Sequence, residues 1–207
     1  MPHHERRAGN RAAAFREAAR VITAWIAGRK IIYIEYPVYE ENQQANSRWI
    51  TQMPKRLSDI QLVLRGMRDA DDIGVTQKDL ENYQHELKAF GEAQIEDDIL
   101  IALAGSAAYG RVDKAAEETD CVDDRDEAQR LIHSLKEENR LPEEEYHARA
   151  LDFVDTFEKW IQHLAEILIE QRQVEIKEFN EFIQAHPELE ELKKVWKCGR
   201  LEGRRED

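Results

Sequence analysis

The sequence predicts a mainly α fold: a helical bundle with a long C-terminal helix and a small β-hairpin near residues 30–53. Three observations lead there. Gly and Pro number only 9 and 5 in 207 residues, too few for a turn-rich sandwich or barrel. Apolar residues recur at steps of three and four through most of the chain. Only one long stretch, residues 30–39 (KIIYIEYPVY), is dense in the β-branched and aromatic side chains that suit a strand.

The elements follow in order. Residues 1–10 read as a flexible basic N-terminus, and residues 11–141 as a helical body that contains the hairpin. Over residues 11–28, Phe15, Ala18, Ala19, Ile22, Trp25 and Ile26 share one helix face, Arg16 and Arg20 lie on another, and Gly28 ends the helix. The strand-like run comes next, with Pro37 placing its far end at an edge. Residues 40–46 are a polar connection and residues 47–53 a short second strand. Two strands are unstable alone, so the hairpin must lie on helices. Leu57, Ile60, Val63, Leu64 and Met67 form the next stripe, and residues 69–74 a loop. Thr76 and Asp79 have the spacing of a helix cap before Leu80, Tyr83, Leu87 and Phe90. Gly91 is expected to separate that helix from the next, which carries Ile95, Ile99, Ala102, Leu103 and Ser106 and ends in small residues (104–110) that permit close helix approach or a frayed end. Residues 113–127 are acidic and weakly apolar, and read as a poorly anchored connection with room for a short helix. Leu131, Ile132 and Leu135 mark a further helix.

Residues 142–198 read as a long helix plus a short terminal one. Pro142 and three glutamates make a good helix start. Ala150, Val154, Phe157, Ile161, Leu164 and Leu168 then follow at alternating steps of four and three, with Phe153, Trp160, Ile167 and Val174 beside them. That stripe is too broad for a two-stranded coiled coil and suits a bundle. Gln171 and Glu175 interrupt the seam, the phase shifts to Ile176, Phe179 and Ile183, and Pro187 ends a helix of roughly 40 residues, about 60 Å. Such a helix outreaches a small bundle. Its second half is expected to project, to bend or to pack on another molecule, and Val174, Ile176, Phe179, Phe182 and Ile183 become the candidate protein interface. Residues 199–207 read as a flexible tail.

Charge is unevenly spread. Residues 1–30 carry seven basic and two acidic side chains and residues 193–207 six and three, which leaves −21 in between within a total of −13. Such a body repels polyanions and argues against direct nucleic-acid binding. No apolar run approaches the ~20 residues of a membrane span. The two cysteines, Cys121 and Cys198, form no paired motif and point to a reducing, cytoplasmic setting.

Three patterns approach known chemistry. Residues 69–81 resemble an EF-hand calcium loop at Asp69, Asp71 and Gly74, but Ile73 and Leu80 stand where ligand oxygens are needed. Glu144 and His147 match half of the di-iron motif of ferritin-like bundles, and no other histidine supplies the second half. Glu92 and Glu96, with Glu117 and Asp120, resemble the EExxE and ExxD helices with which all-α NTP pyrophosphatases hold Mg²⁺, but Ala93 replaces one glutamate and the second pair falls in the expected loose connection. The acidic neighbours of Cys121 disfavour its thiolate. No motif carries enough residues to identify a family, and no catalytic residue, metal or cofactor is expected. The leading expectation is a non-enzymatic helical adaptor or assembly subunit that binds a protein partner or itself. The alternatives are an acidic inhibitor or nucleic-acid mimic that occupies a basic site on a partner, and a carboxylate–metal enzyme in a helical bundle.

Overall fold

A computed structural model describes residues 3–35 and 47–202, with side chains over 11–35 and 47–196. Helix α1 (His3–Ile26) runs through the middle of the molecule. Between Ala12 and Ile26 only Arg16, Arg20 and Trp25 keep partial exposure. A helix buried on all sides is a core helix rather than a surface one, so the expected amphipathic reading of this segment gives way. Its alanines (Ala12–Ala14, Ala18, Ala19 and Ala24 are all buried) let neighbours approach closely. The described helix begins at His3, within the N-terminal segment expected to be flexible.

Against α1 pack α4 (Gln77–Val112) and α7 (Glu143–Gln171), while α6 (Val122–Ser134) packs on α4. Helix α4 runs antiparallel to α1: Ala12 clusters with Tyr109, and Arg29, just past the end of α1, reaches Gln94 and Asp98. A Cβ on Gly105 would lie 2.7 Å from Cγ of Arg20, so glycine is what permits this approach. The capping box at Thr76 and Asp79 forms as expected. Gly91 does not end the helix. It costs about 1 kcal/mol relative to alanine, too little to divide a helix anchored at both ends.

Residues 113–127, expected to be loose, form α5 (Lys114–Asp120) and the start of α6. Asp113 caps α5 at the amide of Ala116, 3.1 Å away. Cys121, Asp124, Ala128, Ile132 and Leu135 are all buried, and one charged member of that row hides its periodicity.

The mainly α bundle with a long C-terminal helix forms as expected, but that helix spans 29 residues rather than roughly 40. Helix α7 ends at Gln171, and Arg172 takes the left-handed conformation (φ 64°) that glycine usually supplies at a helix end. The chain continues as β3 (Gln173–Glu175), α8 (Ile176–Ala185) and α9 (Pro187–Glu202). The polar interruption at Gln171 marks this break. Strand β3 pairs with β1 (Lys30–Glu35), which pairs on its other side with β2 (Arg48–Ile50), so the hairpin is part of an antiparallel sheet of order β2-β1-β3. Ile31, Ile34 and Val174 point from the sheet into the core. The polar connection at 40–46, Pro37 and the last residues of the tail (203–207) lie outside the described residues.

Helices α2 (Lys55–Leu64) and α3 (Ala70–Ile73) pack on the first part of α4 around a separate small core of Leu57, Ile60, Val75 and Tyr83. This arm stands apart from the main bundle core. Among the described residues, no helix is long and apolar enough to cross a membrane.

Candidate functional site

The unusual chemistry of the interior lies along α1. Arg16 and Arg20 are spaced by one turn and Arg29 follows the helix end, so all three reach toward α4 and α6. Arg16 grips Asp124 with two hydrogen bonds, Nε to Oδ2 at 2.6 Å and Nη2 to Oδ1 at 2.8 Å. This two-pronged geometry is what the planar guanidinium offers and lysine cannot. Burial works against the Arg16 cation, but the hydrogen bonds and charge of Asp124 more than offset it and hold its pKa above the ordinary arginine value. Arg29, almost fully buried, donates to Asp98 at 2.7 Å and to the carbonyl of Gln94 at 3.1 Å, and also reaches Thr51. Burial pushes the carboxyl of Asp98 up, with Asp97 adding, against the pull of Arg29. Arg20 lies between them. Its guanidinium sits 3.6 Å from Glu17 and over the ring of Trp49. Glu17 is 2% exposed and one of its oxygens, Oε1, has no hydrogen-bond partner.

Close to Arg16, Ser106 donates to Glu117 at 3.2 Å and Tyr109 to Asp120. Burial, with the charges of Asp124 and Glu117 adding, pushes the Cys121 thiol up to about 11 against the pull of Arg16. A thiol held protonated is a poor nucleophile. The seam therefore pairs charges across three helices. Its chemistry is that of a positioning network, which fixes the register of α1 against α4 and α6.

The patterns singled out in the sequence are dispersed. Asp69 caps α3 through the amide of Asp71, and Gly74 closes that helix in the left-handed conformation. The backbone and side chain of Thr76, then Arg56, hold Asp79 below the usual carboxylate range. Gly74, Asp79 and Arg56, with Lys55, Asp59 and Val75, line a groove of about 420 Å³, which Asp69 and Asp71 do not reach. His147 lies 3.6 Å from Glu143 on the exposed start of α7, away from His163. Glu92 meets Lys88 and Asn139, whereas Glu117 sits beside Ser106, 14 residues further along α4 and hence about 21 Å away. The two carboxylate pairs are not brought together. Among the described residues no group of three His, Cys, Asp or Glu side chains converges on a point that could hold a metal ion. Millimolar Mg²⁺ or Ca²⁺ is accordingly expected to leave the thermal midpoint unchanged in a calorimetric scan. An upward shift would reveal a native-state site for a hard cation.

The expected interface is rearranged most. Val174, Phe179, Phe182 and Ile183 are buried in the main core and only Ile176 is exposed. Because the chain turns back at Arg172, β3 and α8 lie against the bundle and cover their own stripe. The apolar side chains left open lie elsewhere. Leu64 and Met67, expected to continue the α2 stripe, are 55% and 66% exposed at the end of that helix. No protein-family model matches the chain, and no curated protein matches it.

Proposed function

We propose that the protein is a non-enzymatic helical adaptor or assembly subunit that works through protein–protein contacts, and that it binds through the tip of the α2 arm. The supporting observation is the exposure of Leu64 and Met67 there, each followed directly by an arginine, Arg65 and Arg68. Large apolar side chains open to solvent and rimmed by charge are a frequent mark of an interaction surface. Arg68 has only a 4.0 Å approach to Asp59, and both arginines are exposed. A surface of this chemistry fits an acidic partner that exposes an apolar side chain of its own. The outer side of α5 and α6 of a second copy, with Glu118, Asp120 and Asp126 exposed and Val122 42% exposed among them, meets that description. Contacts of this kind depend on charge and weaken with salt.

The test is sedimentation velocity over a concentration series at low and high salt, with wild type beside the double variant Leu64→Glu, Met67→Glu. The expected outcome is concentration-dependent association of the wild type that salt weakens and the double variant abolishes. Both positions are exposed, so the variant should unfold at the same temperature as wild type. Sedimentation as the same monomer in both forms, at every concentration, overturns self-assembly through this tip.

A further inference from the structure

Two imidazoles meet where α7 passes the elbow between α8 and α9. Nδ1 of His163 and Nε2 of His186 are 3.3 Å apart, with the ring centroids at 5.0 Å and the planes at 76°. Nδ1 of His186 lies 2.7 Å from the carbonyl oxygen of Phe182, one turn back. A carbonyl can only accept, so this nitrogen carries the hydrogen and Nε2 presents its lone pair outward. His163 completes the pair by donating its Nδ1 hydrogen to that lone pair.

The spacing has a second meaning. Two nitrogens bound to one tetrahedral Zn²⁺ at about 2.0–2.1 Å each are themselves about 3.3 Å apart. The carbonyl of Phe182 is also the kind of outer partner that metal-bound imidazoles use, since it fixes both the tautomer and the ring direction. The Phe182 ring supports both histidines, at 5.4 Å from His163 and 4.7 Å from His186. Lys159, one turn before His163 on α7, would oppose a cation, but its ammonium group is drawn to Glu188 at 3.2 Å. His163 is exposed and His186 half-buried, so an ion can enter from solvent.

We propose that His163 and His186 form a binding site for a borderline divalent transition-metal ion such as Zn²⁺ or Ni²⁺. Imidazole nitrogen suits these ions and does not suit Mg²⁺ or Ca²⁺. On binding, Nδ1 of His163 releases its hydrogen, Nε2 carries one instead, and both lone pairs face the ion. Water fills the remaining positions, which makes this an open site. The ion would clamp α7 to the elbow through Phe182 and His186.

The test titrates Zn²⁺ into the full chain by calorimetry, with parallel titrations of three variants: His163→Ala, His186→Ala, and His3→Ala with His4→Ala. The last removes the two histidines that are neighbours in the sequence. The expected result is one Zn²⁺ per chain in wild type and in the His3, His4 variant. Loss of either His163 or His186 should weaken binding by more than ~10-fold, since even an outer-partner loss costs that much. Imidazole nitrogen NMR shifts should move at His163 and His186 alone. His163 is exposed, so its variant decides the question even if His186→Ala unfolds. The proposal is overturned if wild type binds no Zn²⁺, or if His163→Ala binds it as tightly as wild type.

Discussion

Phe179→Ala is expected to lower the unfolding free energy by about 3–5 kcal/mol, the range for deleting a buried phenylalanine ring from a packed core. Phe179 is 1% exposed, and its ring stacks on Phe182 with centroids 6.2 Å apart and planes at 16°. Helix α8 carries both rings against the sheet and α9, so no flexible edge is available to collapse into the cavity. Urea unfolding followed by circular dichroism measures the effect. The midpoint should fall with little change in the denaturant slope, as for a loss of stability rather than of compactness. A cost below about 1 kcal/mol would mean that α8 detaches readily and that its apolar face is available to a partner after all.

Asp124→Ala should have an effect of similar size for a different reason. The substitution leaves the Arg16 guanidinium among α1, α4 and α6 without its two acceptors. Removing one partner of a buried ion pair costs about 3–5 kcal/mol. The Arg16 side chain keeps 23% of its exposure and can recover some hydration, which places the expected cost near the lower end, about 3 kcal/mol. The informative comparison is the double variant Arg16→Met, Asp124→Leu. It removes both charges and fills the space with apolar groups, so it should be clearly more stable than Asp124→Ala alone. If the double variant is the less stable of the two, the pair itself is strongly favourable, and the unpaired charge is not what makes the single change costly.

The parts of the fold legible in the sequence are those that apolar spacing alone determines. Leu164 and Leu168 belong to a regular seam and lie in a regular helix. The strand at Lys30–Glu35 stands out because Ile31, Ile32, Tyr33 and Ile34 crowd together. Spacing fails where a polar residue does a core residue's work. Asp124 occupies an inward position and is neutralised by an arginine more than a hundred residues away, so helix α6 reads as solvated chain. The same residue type at Asp126 is exposed, and local sequence does not separate the two. Arg172 fails in the opposite sense: nothing in an arginine announces a left-handed turn, and the break is signalled only by Gln171 and Glu175 interrupting the seam. Misreading that break carried the expected interface with it, because Val174, Phe179 and Phe182 look unpartnered only if the helix runs straight. His163 and His186 lie on separate elements, and their meeting depends on the elbow before Pro187, which places them within hydrogen-bond distance.

The central position of α1 also bears on how the chain is made. Its covering runs to the end of α7, some 145 residues after Ile26, and at roughly 5–20 residues per second a ribosome needs about 7–30 s to supply it. Throughout that interval the helix that will become the axis of the molecule waits without its wrapping. A leucine-rich axis would expose a sticky surface for those seconds. In this one seven of 24 residues are alanine, and Arg16, Glu17 and Arg20 stand among Phe15, Val21 and Ile22, so its apolar side chains wait interleaved with charge. The charges later locked in the interior stay hydrated until their partners follow, Asp98 for Arg29 and, 108 residues on, Asp124 for Arg16.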